Sequence, residues 1–317
     1  MNNEKEILVS ICCITYNHAT YIRQCLEGFL MQTTNFRFEV IIHDDCSTDG
    51  TTEIVKEYVD KYPDLFVPII QPVNQYQNGV KSIIATFMFP QAKGKYIATC
   101  EGDDYWTDPL KLQKQVDILE SKPEVSLVYT SFKTVDENNI EIRRPRYESF
   151  IKRSYSGNLL PELFYSNFIL TLTTMLRREV FSSVMYMNCP VKFDYTIFFA
   201  SAFLGEGYFM PTITGCYRKC AGSAITSRHE EVVRDSYENY KYFVDFFLRN
   251  PPAVHCNMIE TSRLYRNMMV NMFFYNDYEM IKKIIKKNIY TCLLIPESFV
   301  FSLLKRLKWK TYGSIDR

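Results

Sequence analysis

Apolar and polar positions alternate in blocks along the first half of the chain. Ile7 to Ile14 is an apolar run of buried-strand length, interrupted only by Ser10. From Tyr21 to Leu30 the apolar residues Tyr21, Ile22, Cys25, Leu26, Phe29 and Leu30 recur at helical spacing. Phe38 to His43 predicts a second strand, closed by the polar turn 44–50. A helix follows with Ile54, Val55, Tyr58, Val59 and Tyr62 on one stripe. Leu65 to Ile70 reads as a third strand, Val80 to Phe89 as a helix and Tyr96 to Cys100 as a fourth strand. Asp108-Pro109 has the form of a helix cap with proline at the first helical position, opening a helix to about Glu120. Val125 to Tyr129 predicts a further strand.

Alternation of this kind implies an α/β fold with a mostly parallel sheet covered on both faces. Ligands of such sheets bind at the carboxyl ends of the strands. From about residue 226 the pattern becomes helical: Glu230 to Arg249, Val254 to Tyr275 and Tyr278 to Lys287. The expected organisation is therefore a sheet domain over 1–225 and a helical C-terminal region over 226–317.

Composition narrows the class. The 317 residues suffice for a large core, and 47% of them are hydrophobic. With 37 basic and 36 acidic residues the net charge is +1, so the chain lacks the basic excess of a nucleic-acid-binding surface. The ten cysteines include no CxxC pair, which excludes the usual zinc spacing, and several sit in apolar runs as small buried hydrophobes. The polar opening Met1 to Glu6 and the short run after it do not form a secretory leader, so a reducing cytoplasm is the expected location. The longest C-terminal apolar stretch, Tyr290 to Leu304, is broken by Pro296 and Glu297, so no membrane span of about 20 residues is expected.

Three polar clusters each follow a predicted strand, so they converge on one crevice. Thr15-Tyr16-Asn17 ends the first strand and can offer backbone N–H groups and a ring to a nucleobase. Asp44-Asp45-Cys46-Ser47-Thr48-Asp49-Gly50-Thr51 ends the second; a carboxylate there can accept from uracil N3–H or a ribose hydroxyl, while Asp49 and Thr51 suit the start of the next helix. Glu101-Gly102-Asp103-Asp104 ends the fourth. Three acids in four residues repel one another unless a cation is present, and carboxylate oxygens suit Mg²⁺ or Mn²⁺ bridging to a diphosphate. Gly102 allows close backbone approach.

The order and spacing of these motifs, with Val9-Ser10-Ile11 ahead of the first and Ala92-Lys93-Gly94-Lys95-Tyr96-Ile97 ahead of the third, resemble the family 2 glycosyltransferases over roughly residues 7 to 222. The resemblance implies the GT-A fold and inverting transfer from a nucleoside-diphosphate sugar, UDP favoured, with a divalent metal. By matching position, Thr15, Tyr16, Asn17 and Asp45 would line the nucleoside pocket, with Asp103 nearby. Glu101, Asp103 and Asp104 would form the DxD-type metal segment. Glu101 stands where the family has its leading Asp, which leaves the direct ligand open between Asp103 and Asp104.

An inverting transfer needs a base for the acceptor hydroxyl. Asp194, in Phe193-Asp194-Tyr195-Thr196-Ile197, matches the family's late acid; by residue type alone it equally suits the cap of the helix Tyr195 to Phe203. Arg218, in Tyr217-Arg218-Lys219, is similar to the family's late basic segment and is a candidate diphosphate contact. Trp106 would stack on a sugar or anchor the next helix, and Tyr105, Thr173 and Thr174 fall near the expected acceptor side. The four histidines show no metal spacing and receive no chemistry.

The resemblance places such a chain in cell-surface polysaccharide synthesis, with a glycan or lipid-linked acceptor. The basic run Ser302 to Lys310, with Lys282, Lys283, Lys286 and Lys287, suits either a solvated helix face or peripheral contact with the inner membrane surface. The missing Gln-x-x-Arg-Trp signature favours single addition over polymerisation. The rival readings are a catalytically silent sugar-nucleotide-binding partner and a nucleotidyltransferase. The latter lacks its Gly-rich basic loop, and no GxGxxG follows the first strand.

Overall fold

The computed structural model describes residues 6–220, 229–250, 252, 257–275 and 277–287. Its centre is an eight-stranded sheet in the order β3-β2-β1-β4-β7-β6-β8-β5. The strands are β1 Ile7–Thr15, β2 Arg37–Asp44, β3 Phe66–Ile70, β4 Tyr96–Glu101, β5 Tyr105–Trp106, β6 Val125–Val135, β7 Met175–Arg177 and β8 Glu206–Arg218. β1 pairs in parallel with β2 and β4, and β6 with β8. The short β7 runs antiparallel between β4 and β6, so the long strands on both sides point the same way. The mostly parallel sheet expected from the alternation is present.

Period-two alternation divides the strand side chains between two cores. Val9, Ile11 and Cys13 of β1, Val40 and Ile42 of β2, and Tyr96, Ala98 and Cys100 of β4 face one side. There they meet α1 (Ile22–Leu30), α2 (Thr51–Lys61) and α3 (Lys111–Ser121). Cys12, Ile41 and Ile97 face the other side. That side is covered from α4 (Pro145–Arg153) through the single turns α5 (Leu160–Leu163), α6 (Glu179–Ser182) and α7 (Val184–Met187) to α8 (Asp194–Leu204).

The C-terminal helices α9 (His229–Arg249), α10 (Met258–Phe274) and α11 (Tyr278–Lys287) are close to the expected ones. Phe243 and Val244, Leu264 and Met268, and Met280 and Ile284 add to that second core. The helical region therefore shares its apolar interior with the sheet. The expected boundary near 226 and the run 302–310 lie outside the described residues.

The register of the parallel strands is pinned at the end away from the crevice. Ser10 Oγ donates to Glu39 at 2.6 Å and accepts from the Gly94 amide at 2.8 Å. A Cβ on Gly94 would lie 2.4 Å from the Ser10 nitrogen, so only glycine fits. At the other end this register sets Thr15 beside Asp44 and Ile14 beside Glu101. All three polar clusters thus leave the sheet at one level.

Two expected elements differ. Residues 80–89 do not form one helix: a wide turn covers Ile84–Met88 and a tight one Phe89–Gln91, with 71–83 as a loop. The Asp45 carboxylate captures the Gln75 and Tyr76 amides of that loop, at 2.8 and 3.0 Å, and Pro90 has no N–H to continue a helix. Asp108-Pro109 does not cap α3, which begins at Lys111. Asp108 closes a turn with the Leu110 amide, and the Leu112 amide is met by Gln32 Oε1 instead.

Candidate active site

The loops after β1 and β2 are fastened together. Asn17, at φ 55°, accepts from the Thr48 amide at 2.8 Å and donates its own amide to Ser47 Oγ at 2.9 Å. The His18 amide donates to Thr51 Oγ1 and the Ala19 amide to Asp49 Oδ2. Beneath them, Asp44 is fully buried and accepts from the Ser47 amide and from the Ser47 and Thr52 hydroxyls, which explains the first acid of the pair. Asp45 ties down the 75–76 loop with one bond to each oxygen, leaving lone pairs for a ligand donor. Tyr16 keeps its ring exposed at the rim. Thr15, Tyr16, Asn17 and Asp45 are thus brought to one place.

The acidic segment crosses this cradle. The Gly102 amide donates to the Ile14 carbonyl at 2.8 Å, and a Cβ there would meet Thr15 Oγ1 at 2.7 Å and His18 Nδ1 at 3.0 Å. Both oxygens of Glu101 accept from Thr171 Oγ1, at 2.8 and 2.7 Å. Burial pushes the Glu101 carboxyl up to about 7; the Thr171 bond opposes this, while the charges of Asp103 and Asp194 add to it. Burial also drives Asp104 well above the carboxylate range, with Asp103 and Glu101 reinforcing the shift. Asp104 Oδ1 accepts from the Arg218 amide at 2.7 Å, but its buried Oδ2 has no hydrogen-bond partner.

An unpaired buried carboxylate oxygen among like charges costs more than the roughly 1–3 kcal/mol of an ordinary orphaned polar group. Asp103, a quarter exposed and with Oδ2 at 3.9 Å from His18 Nε2, stands at the mouth. This donor set fits Mg²⁺ or Mn²⁺, which typically take one or two carboxylates and complete their shell with phosphate oxygens and water. Among the described residues no three acidic, histidine or cysteine side chains form a cation site by themselves. Asp103 and Asp104 are the residues that would hold the ion. Glu101, clamped by Thr171, supports the segment from behind.

Asp194 opens α8 as its first residue rather than its cap, which is Phe193. The reciprocal capping bond comes from Thr196 Oγ1, which accepts from the Phe193 amide at 3.2 Å. Asp194 makes only a local bond to the Tyr195 amide and remains open to solvent. The protein packed around its carboxyl nevertheless raises its pKa. Its charge adds to the upward shift of Glu101, so the two carboxyls lie near one another.

Two expected contacts are corrected. Arg218 is 2% exposed and its guanidinium is saturated. Nε donates to the Asp103 carbonyl, Nη1 to the carbonyls of Asp136 and Glu137, and Nη2 to Gln24 Oε1 and Asn139 Oδ1. It braces the acidic segment and has no free donor for a diphosphate. Trp106 is also buried: its indole N–H donates to the Leu172 carbonyl at 2.9 Å, and its ring meets Phe29 edge-on. It is an anchor, not a sugar platform. Thr173 and Thr174 are buried as well, with hydroxyls on Leu170, Thr171 and Thr99.

Two site residues escaped the sequence reading. His18 Nδ1 lies 3.2 Å from Thr15 Oγ1 while Nε2 faces Asp103; burial lowers its pKa, and Asp103, Asp49 and Asp44 oppose that. Its place directly after Thr15-Tyr16-Asn17 was the available signal. Thr171 lies 70 residues from Glu101, and nothing in its surroundings announces the contact.

The chain is similar to several known proteins. A Mycobacterium tuberculosis protein, Rv1520, is 36% identical over 231 residues, covering 70% of this chain and 63% of that protein. The chain thus spans somewhat less than two thirds of that relative's length. The Escherichia coli enzyme WfaP, a UDP-Glc:α-D-GlcNAc-diphosphoundecaprenol β-1,3-glucosyltransferase, is 34% identical over 115 residues, covering 36% of this chain and 42% of the enzyme. The structure of Staphylococcus aureus TarS with UDP-GlcNAc superposes with a TM-score of 0.61 at 18% identity, over 92% of this chain and 83% of that one, which establishes the GT-A fold. Residues 10–185, more than half of the sequence, match the family pattern named glycosyl transferase family 2, and the chain belongs to that family.

Proposed function

We propose that the crevice transfers a sugar, with inversion, from a nucleoside-diphosphate donor to a hydroxyl of a glycan or lipid-linked acceptor in cell-surface polysaccharide synthesis. The observation that carries this reading is the buried, unpaired Asp104 Oδ2, on the acidic segment that leaves the sheet beside Thr15 and Asp44, with Asp194 near enough for its charge to act on Glu101. The Thr15-Tyr16-Asn17 turn and Asp45 take the nucleoside, and the remaining Asp45 lone pairs suit the N3–H of uracil, which favours UDP. A bound Mg²⁺ or Mn²⁺ supplies positive charge to the leaving diphosphate.

The remaining chemistry belongs to the chain. Asp194 accepts the acceptor hydroxyl's proton as that oxygen bonds to the anomeric carbon and the bond to the diphosphate breaks. Attack from the face opposite the diphosphate inverts the anomeric centre. Arg218 and Thr171 hold the acidic segment in place during transfer.

The inner face of the cell membrane is the proposed location. No helix among the described residues is long and apolar enough to cross a membrane. On α11, Lys282, Lys283, Lys286 and Lys287 are exposed and would make a peripheral contact with anionic lipid. Lys282 and Lys283 have carboxylate neighbours, Glu279 at 2.6 Å and Asp245 at 3.7 Å, which weakens that contact.

Thermal-shift titration with UDP-, GDP-, dTDP- and CMP-sugars, each with and without Mn²⁺, tests the reading. A UDP-sugar at one hundred times its Kd should stabilise the fold by about 2.7 kcal/mol, and only with the metal. Absence of metal-dependent stabilisation by any donor would sink the proposal.

A further inference from the structure

A cluster of positive charge lies outside the residues assigned to the donor. Arg143, Arg144 and Arg146 fall within four positions at the start of α4, and all three are exposed. Among the described residues none of them makes an ion pair. Glu141, on the preceding turn, is held by Lys133 at 2.8 Å and has Arg143 as a second, weaker charge neighbour. Asp136 spends its Oδ1 on the amides of Asn138 and Ile140. Glu148, in the first turn of α4, is the acid left beside them. Arg146 lies over the Phe150 ring, which limits how far that side chain roams.

The placement is fixed by the fold. The turn 136–142 leaves the carboxyl end of β6 and folds back on it, with the Ile142 amide on the Thr134 carbonyl at 2.9 Å. The same turn gives Arg218 its Asp136 and Asn139 acceptors. Two residues into the helix, Tyr147 packs on Tyr217 with ring centroids 5.1 Å apart. Tyr217 directly precedes Arg218, whose backbone amide donates to Asp104 Oδ1 at 2.7 Å. The start of α4 therefore lies on the β6–β8 side of the acidic segment. The nucleoside cradle is on the β1–β2 side.

We infer that Arg143, Arg144 and Arg146 bind a phosphate group carried by the acceptor. Three guanidiniums in four residues would repel one another without an anion. Their planar forks match phosphate oxygens two at a time, and the positive end of α4 adds to the attraction. The donor's diphosphate is assigned to the Asp103-Asp104 segment and its nucleoside to the β1–β2 side, so a further anion received here belongs to the second substrate. The acceptor is thus anionic at a point removed from its reacting hydroxyl. This inference rests on the reading of the crevice as a sugar-transfer site.

The test uses the full chain, saturated with UDP and Mn²⁺, titrated with octyl phosphate, with octyl glucoside as the uncharged control. A triple variant R143Q/R144Q/R146Q should bind octyl phosphate at least tenfold more weakly and keep UDP affinity within twofold, with an unchanged melting temperature. Inorganic phosphate should bind more weakly than octyl phosphate, because the site serves a substrate. Equal binding of octyl phosphate by both proteins, no binding by either, equal binding of octyl glucoside, or binding only to phosphatidylglycerol vesicles would each overturn the inference. UDP titration of the unaltered chain separates the two readings. Failure there removes the transfer proposal, while loss of the octyl phosphate response alone removes only this site.

Discussion

Arg218 holds the acidic segment twice, through its backbone amide on Asp104 Oδ1 at 2.7 Å and through its guanidinium on the Asp103 carbonyl at 2.8 Å. The other guanidinium donors reach Gln24, Asn139 and the 136–137 carbonyls, so one side chain joins α1, the β6 turn and the segment. Arg218→Met would leave those acceptors unmatched, at a cost of about 3 kcal/mol. Arg218→Lys keeps the charge but has three donors for five acceptors. We expect it to fold and to lose at least about tenfold in kcat/KM, roughly 1.4 kcal/mol, measured by donor-dependent transfer. Unchanged kcat/KM in the lysine variant would show that the brace does not serve the site.

Gly102 gives a second test of the same segment. An added Cβ would press on Thr15 Oγ1 at 2.7 Å and Thr15 Cβ at 2.9 Å, inside normal contact distance. The segment is the looser partner, because Thr15 is fully buried at the end of β1. Gly102→Ala should displace Asp103 and Asp104, weakening metal-dependent UDP binding more than it lowers the melting temperature. Calorimetric titration with UDP and Mn²⁺ reads the difference.

Where the sequence was legible, the cause was local. β1, β2 and β4 show their two faces as alternating apolar residues, and α1 and α2 show theirs as stripes, so the crevice could be placed from strand ends alone. The loop at 71–83 was not legible, because its shape depends on an Asp45 carboxylate 30 residues away. Trp106 is buried only because β5 pairs with β8, and a two-residue strand has no periodicity to read. Arg218 looked like a ligand contact for the same reason: its acceptors lie 79 to 194 residues distant. The three-residue β7 was invisible to pattern and reverses one strand in the middle of the sheet.

Lys111 carries a stability prediction. Its amine is fully buried, 4.3 Å from the Trp106 ring, with Gln115 Oε1 as a hydrogen-bond acceptor at 2.7 Å. Burial drops its pKa from 10.5 to about 7. Folding therefore expels a proton between those values: the penalty is full below pH 7 and is relieved as pH rises toward 10.5. By the usual 1.36 kcal/mol per unit it is on the order of 5 kcal/mol. Lys111→Met should flatten the rise in stability between pH 7 and 10, measured by urea denaturation at several pH values. An equally steep rise in the variant would refute the assignment.

The pH dependence of transfer should separate the contributions of Asp194 and Glu101. Asp194 must be ionised to accept a proton, and its raised pKa means it loses that charge earlier on acidification than an ordinary aspartate. Glu101, pushed up to about 7 by burial, gains its proton in the neutral range. The rate should therefore fall as pH drops, with both groups contributing to the acid limb. Glu101→Gln keeps an oxygen to accept from Thr171 and removes one of the two ionisations, so the limb should become simpler and lie at lower pH. Asp194→Asn should reduce kcat by about 10² or more while UDP and Mn²⁺ still bind. Linkage adds an independent check with the opposite sign to Lys111. A carboxyl raised from 4.5 to about 7 makes the fold less stable as pH climbs through that interval, so Glu101→Gln should stabilise the metal-free protein at pH 8 and not at pH 4. A glutamine variant with an unchanged limb and unchanged stability would place the Glu101 carboxylate outside the titrating site.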